Sequence, residues 1–251
     1  MIRENIPLQN KLKLYLTLLF VYIVLFEFIL PVNKILPRPT LLLESFVSIW
    51  FEYNLLYAFT ITASVVYLSM LFGFIQIYIG AARYLKFYTL IEGSIQSLGL
   101  FLFLTPFFFL AVFNFWFPQN VIAEFLFSFL AASFFIFQKL IHESKNIKEE
   151  YLLVARNLKT SSYDTYQDVH WKSSLPGIFK QLRQINYQLW FLILTYEFIG
   201  DQRGVGAIYH LALQYRDFTA LFTLAIMCGI LIWFGDLLIK QIHSKFIRWT
   251  P

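Results

Sequence analysis

The stretch Glu149–Ile178 reads EEYLLVARNLKTSSYDTYQDVHWKSSLPGI. It is the longest polar segment of a chain that is 59% hydrophobic and 14% charged. Soluble domains carry roughly 25% charged residues, so an exterior this poor in charge is built to face hydrocarbon. A polar segment of this length between apolar runs must lie in water, where a soluble partner reaches it.

On either side of it the chain divides into apolar runs. A bilayer core of about 30 Å takes about 20 apolar helical residues. Six segments fit, at about 12–30, 59–79, 98–117, 121–137, 185–199 and 218–239. The fifth is the weakest, because only Leu189–Ile199 is continuously apolar. Each is expected as helix, since an open strand in lipid leaves backbone groups unpaired. The expectation is an all-α polytopic membrane protein with six spans in a single domain, 1–251. The positive start (Arg3, Lys11, Lys13) resembles a signal peptide, but the run Leu14–Leu30 exceeds a signal core and no small-x-small site follows. It reads as a retained span.

Lysine and arginine set the orientation. With the N-terminus inside, sixteen of them fall in cytoplasmic segments, and Lys34, Arg38, Arg203 and Arg216 fall outside. Six spans return the C-terminus to the inside. The net charge of +5 therefore reflects topology, and no nucleic-acid partner is implied.

Within the long inner segment, about 145–178, helix formers over Ile147–Leu158 predict a helix. Thr160-Ser161-Ser162 interrupts it, because short hydroxyl side chains favour caps. A second short helix over Tyr163–Trp171 is expected, capped by Ser161 or Ser162 and ended by Pro176-Gly177. Tyr151, Tyr163, Tyr166 and Trp171 are the aromatics expected to anchor a partner there.

The outer connections carry their own signals. Leu36-Pro37-Arg38-Pro39 is stiff and extended. Thr40 reads as the N-cap of an amphipathic surface helix with Leu42, Leu43, Phe46, Val47, Trp50 and Phe51 on one face. Pro106 is expected to bend the third span, which begins after Glu92-Gly93-Ser94. Pro118-Gln119-Asn120 is a tight turn. Gly200, Gly204 and Gly206 predict a turn with positive φ angles. Glu197 is an ionisable group at a span end, with Arg203 or Arg216 as its expected ion-pair partner. Glu27 and Asp236, also near span ends, read as residues that snorkel to the interface. Tyr67, Gln76, Pro106, Asn114 and Glu197 are the candidates for a translocation path or gate.

Catalytic chemistry finds no support. The sequence has no glycine-rich phosphate loop, no nucleophile elbow and no Cys/His set at metal-ligand spacing. Its one cysteine, Cys228, sits in an apolar run, and its four histidines are scattered. No catalytic residue, metal or cofactor is assigned to this chain.

The arrangement resembles the permease subunit of binding-protein-dependent ABC importers of the nitrate/sulfonate/taurine group, along nearly the whole chain. Leu36-Pro37-Arg38-Pro39 resembles the LPSP-like stretch of that group. Thr105-Pro106 falls where its third span has prolines. Glu197-Phe198-Ile199-Gly200 with Gly204-Val205-Gly206 resembles its E-x-x-G…G-x-G turn. The wider family's inner loop reads Glu-Ala-Ala, three residues, Gly, nine residues, Ile-x-Leu-Pro, and in this group a Leu-Pro-Gly-Ile follows. Counted back without a gap from Leu175-Pro176-Gly177-Ile178, Ala155 matches the second alanine, and Arg156, Leu158, Ser161, Tyr163 and Val169 fit the group's residue types. Leu153 stands at the glutamate, Val154 at the first alanine, Lys159 at the glycine and Trp171-Lys172 at the first Leu-Pro. A lysine at the glycine position is expected to disfavour a left-handed turn there.

The resemblance implies a type I importer permease in a bacterial inner membrane, itself no enzyme. Its partners would be a second permease copy, two cytoplasmic ATPases that bind the ATP and magnesium, and an external substrate-binding protein. The coupling residues it implies are Ala155, Arg156, Leu158, Lys159, Ser161, Tyr163, Tyr166, Trp171, Pro176 and Gly177. The cargo is a small solute, sulfonate-, nitrate- or taurine-like or vitamin-precursor-like. The departures from the motif keep an alternative open: a divergent ABC membrane component or scaffold, including an exporter or one half of a heterodimer with weakened coupling.

Overall fold

Helix formation accounts for the backbone, as lipid demands of a chain this apolar. The computed structural model describes residues 8–30, 36–96, 99–159, 161–200 and 203–246. In order they form α1 (Leu8–Ile23) with a π-helical extension over Val24–Ile29, α2 (Pro39–Glu52), α3 (Leu55–Gln96), α4 (Gly99–Trp116), α5 (Val121–Lys145), α6 (Glu149–Asn157), α7 (Ser162–Asp164) with a π-helical segment over Thr165–Trp171, α8 (Lys172–Gly200), α9 (Val205–Gln214) and α10 (Phe218–Phe246). No strand occurs among the described residues. Four stretches are long and apolar enough to cross a membrane: Leu12–Ile29, Leu55–Leu90, Val121–Lys145 and Phe218–Lys245. This is the make-up of a multi-pass helical membrane protein.

Several boundaries differ from the sequence reading. The second apolar segment is only part of α3, a continuous helix of 42 residues, about 63 Å long at 1.5 Å per residue. Arg83, Lys86 and Glu92-Gly93-Ser94 therefore lie on helix, not in a loop. The third segment forms α4, which runs through Pro106. The fifth lies inside α8, which is helical from Lys172 and contains Pro176. Pro176-Gly177 thus ends nothing. A proline in the interior of a regular α-helix breaks an i→i−4 bond. Here the wider π-helical turns of Thr165–Trp171 come just before it and shift the hydrogen-bond register.

The chain folds as two compact units, one comprising residues 1–56 and 208–227 and the other 57–207 and 228–251. In the first, α1 leaves the window Leu12–Ile29 wholly unburied, as suits a helix facing lipid. Tyr22 donates to the Pro37 carbonyl at 2.8 Å, and the Thr40 hydroxyl donates to Glu27 at 3.1 Å. Thr40 is not the cap of α2. Arg38 takes that place with Pro39 inside the first turn, where its fixed φ suits a helix start. The side of α2 turned inward carries Ser45 and Ile49, and Thr223 donates to Ser45 at 3.1 Å. Leu43, Val47 and Phe51 of the expected apolar stripe face out.

The second unit is built around α8 and α5. Trp190, Tyr196, Ile185 and Leu189 of α8 and Phe127, Ile136 and Leu140 of α5 are almost fully buried. α8 need not be apolar all round because its buried face meets protein, not lipid. That is why Asn186 sits fully inside and why the sequence made this span the weakest. α3 approaches α5 through small residues: Ser69 and Ser128 share a hydrogen bond at 2.6 Å, and a side chain on Gly73 would press on the Ser133 backbone. Arg183 clamps Asp236 of α10 with two parallel hydrogen bonds, so Asp236 is held in an ion pair and does not reach for the interface.

The turns between helices follow their capping residues. Gln119 adopts a φ of 54°, and the Asn120 side chain accepts from Ile122 N–H at 2.9 Å and Ala123 N–H at 3.3 Å to start α5. Asp201 and Gln202 of the glycine turn lie outside the described residues.

Candidate functional site

The polar stretch is an elbow with two different faces. α6 ends at Asn157 with Leu158 as its C-cap, and Lys159 turns the chain with a φ of 52°. The Ser161 hydroxyl then accepts from Asp164 N–H at 3.1 Å and donates to its carboxylate at 2.6 Å. This reciprocal cap is the one the hydroxyl run predicted. Thr160, part of that run, lies outside the described residues. From Ser162 the chain is helical through Gly200. The left-handed residue is thus the lysine that was expected to disfavour such a turn. Its side chain is exposed, so the strain is confined to the backbone. We predict that Lys159→Gly stabilises the elbow by about 0.5–1 kcal/mol, the left-handed penalty less the added unfolded-state entropy. Hydrogen exchange of the α6 and α7 amides in the purified full chain would show slower opening.

The inner face is a set of anchors. Trp171 is 2% exposed and packs edge-on against Tyr78 at 5.6 Å and tilted against Phe74 at 6.3 Å, both on α3. It was expected to anchor a partner, and instead it fastens the elbow to its own chain. The π-helical turn explains this, since it displaces each following side chain around the axis. Tyr166 is half-buried, 3.5 Å from the Thr89 hydroxyl and 5.1 Å from the His170 ring. Ala155 is buried as well. Gly177 leaves room for the Glu143 side chain of α5, which accepts a hydrogen bond from Gln181.

The outer face is open. Tyr151, Val154 and Leu158 recur at i, i+3 and i+7, one stripe of α6, and are 52%, 55% and 71% exposed. Tyr163, Arg156 and Ser161 are exposed beside them. Among the named coupling residues, Arg156, Leu158, Lys159, Ser161 and Tyr163 are therefore accessible. Ala155 and Trp171 are buried, and Tyr166, Pro176 and Gly177 are partly covered.

His170 gives the elbow a dependence on pH. Burial pushes its imidazole below the ordinary value, opposed by a hydrogen bond to the Ser144 backbone. An opened elbow takes up the proton first as pH falls. Its stability is full above about 6.5, the ordinary histidine value, and declines below it toward the lowered folded value. Limited proteolysis at the elbow should accelerate between pH 7 and 5.5, and His170→Asn should flatten that profile.

The path candidates fall into different surroundings, with Asn114 bonded to the residue beside Glu197. Tyr67 lines a cavity of about 920 Å³ between α3, α8 and α10, with Phe74, Phe179, Leu182, Leu238 and Ile242 among its almost wholly apolar walls. Its hydroxyl accepts from Trp190 Nε1–H at 3.3 Å and donates to the Leu231 carbonyl at 3.4 Å. Gln76 is used in packing: it accepts from Ser133 at 2.8 Å and donates to Tyr84 at 3.0 Å. Pro106 is half-buried in α4. Asn114 donates to the Tyr196 carbonyl at 3.2 Å and so joins α4 to α8.

Glu197 is fully buried, and neither expected arginine takes its oxygens. Thr62 O–H donates to one at 2.6 Å and Gly206 N–H to the other at 2.7 Å, while Val205 N–H donates to the Thr62 oxygen at 3.0 Å. The described glycines have no positive φ. Gly204 and Gly206 are needed for space, because a side chain on either would collide with Glu197. Glu124, which the sequence reading passed over, is also fully buried and stands beside Glu197. The rule that singled out Glu197, an acid inside an apolar run, applies equally to it.

No family model matches this chain, and no curated protein matches it. Its function has to be read from the geometry of the elbow and the bundle.

Proposed function

We propose that this chain is the membrane-spanning subunit of an ABC importer, with six spans, both ends cytoplasmic and the elbow docked on a separate ATPase. One observation carries the reading. The position where the family resemblance requires glycine, Lys159, is the one residue of the described elbow with a positive φ. A left-handed backbone at the position where that family has glycine supports the reading. The exposed stripe Tyr151, Val154 and Leu158 beside that turn supports it, because apolar residues on a polar cytoplasmic segment suit a partner's groove.

In this reading α4 and α8 complete the six spans, supported by their helical form and by the sixteen-to-four distribution of lysine and arginine. Closure of two ATPases pushes the elbow, and the helices rock between inward- and outward-open states. ATP is hydrolysed by the partner. The cargo is a small solute of the sulfonate, nitrate, taurine or vitamin-precursor kind. The test is to copurify the chain with an ABC-type ATPase and to measure stimulation of ATP hydrolysis. Stimulation that survives both Leu158→Glu and Tyr163→Ala removes the coupling assignment.

The replaced motif residues favour a second reading. Leu153 and Val154 stand where the motif has Glu-Ala, and the inward-turned Trp171 stands at its first Leu-Pro. The chain would then be the weaker-coupling half of a heterodimer, or a divergent scaffold or exporter component. Purification with a second, different permease chain supports the heterodimer.

A further inference from the structure

Glu124 and Glu197 come from the outer ends of α5 and α8, and both are fully buried. Their side chains lie within hydrogen-bonding reach of each other. The two carboxyls are furnished very differently. Glu197 receives an O–H and an N–H, and the N–H belongs to the first turn of α9, the positive end of that helix. Neither oxygen of Glu124 meets a donor from another group, and the fully buried Tyr196 hydroxyl, within electrostatic reach of Glu124, has no partner either. Two ionised carboxylates cannot hydrogen-bond, because neither holds a proton to give. One proton removes the conflict and gives one of the orphaned Glu124 oxygens a partner in Glu197.

We infer that Glu124 and Glu197 form a proton-binding site, in which a single proton on Glu124 is donated to the Glu197 carboxylate. The groups around it are Thr62 on α3, Asn114 on α4 through the Tyr196 backbone, Tyr196 on α8 and the Gly206 amide on α9. Glu197 is the charged side chain facing Glu124. The shared proton ties the ends of α5 and α8 together. Its loss places two like charges side by side in a fully buried site. The site stands whether or not the chain transports anything.

Infrared spectroscopy of the purified full chain tests this directly. At neutral pH the wild type should show the carbonyl stretch of a protonated carboxylic acid, shifted in D2O and lost in one step as pH is raised. Glu124→Gln should remove that band yet keep the thermal midpoint, because the amide donates to Glu197 as the acid did. It should also abolish the fall in midpoint at alkaline pH that is expected of the wild type. Absence of the band in the wild type at neutral pH, or its survival in Glu124→Gln, overturns the proposal. So does stabilisation of the wild type by sodium or calcium that the variant lacks, which would make the occupant a metal ion. Should Glu124→Gln fail to fold, the wild-type band and its titration still decide.

Discussion

Trp171→Ala should detach the elbow from the membrane helices. The indole is 2% exposed and fills the space between Phe74 and Tyr78. Removing a buried tryptophan costs about 3–5 kcal/mol, the lost transfer energy plus the cavity left behind. The loss should concentrate at the elbow, because α8 beyond Ile178 is held independently by α5. Hydrogen exchange should show amides of residues 162–176 opening far faster, while those of residues 185–196 keep their protection. Trp171→Phe should recover much of the difference. Uniform loss of protection along α8 would mean that the elbow and the bundle unfold together.

Leu158→Glu combined with Val154→Glu should leave folding intact and abolish stimulation of a partner ATPase. Both side chains are more than half exposed, so exchanging them for charged ones changes stability by no more than about 0.5 kcal/mol each. At a docked interface the same change buries two unpaired charges. Losing an anchor of that kind costs about 2 kcal/mol or more, a thirtyfold weakening of the complex for each. The measurements are the thermal midpoint of the isolated chain and ATP hydrolysis as a function of ATPase concentration. An unchanged midpoint with lost stimulation fits the docking face proposed here. Unchanged stimulation places the motor contact elsewhere.

The sequence was most informative where a helix meets lipid. Leu12–Ile29, Val121–Lys145 and Phe218–Lys245 announce themselves because lipid requires apolar side chains all along. The Ser161 cap was legible too, because it acts through a neighbour three residues away, whereas Thr40, read as a cap, yields that place to Arg38. What could not be read was set by distant packing. α8 looks like a weak span because its polar residues point inward. Trp171 looks like a partner's anchor because nothing in the sequence reveals the π-helical turn that rotates it onto α3. Lys159 adopts its strained φ for the sake of the turn and against its own preference. Of the candidate site, the elbow's position and its cap were visible. Its division into a glued face and an open face was not, and neither was the pairing of Glu124 with a residue 73 positions away.

The unbroken length of α3 has a mechanical consequence. Thr62 grips Glu197 near one end of the rod, and Tyr78 grips Trp171 sixteen residues further along. That separation is about 24 Å of helix. No described residue between them departs from helix, so there is no hinge to absorb a displacement. Tilting the rod by 5° about the Thr62 grip would move the Tyr78 grip by roughly 2 Å. α3 is a lever arm: a displacement of the elbow at Trp171 is carried along it to Thr62 and so to Glu197, and, if the carboxyl pair holds the proton proposed above, a change there would be carried back the same way.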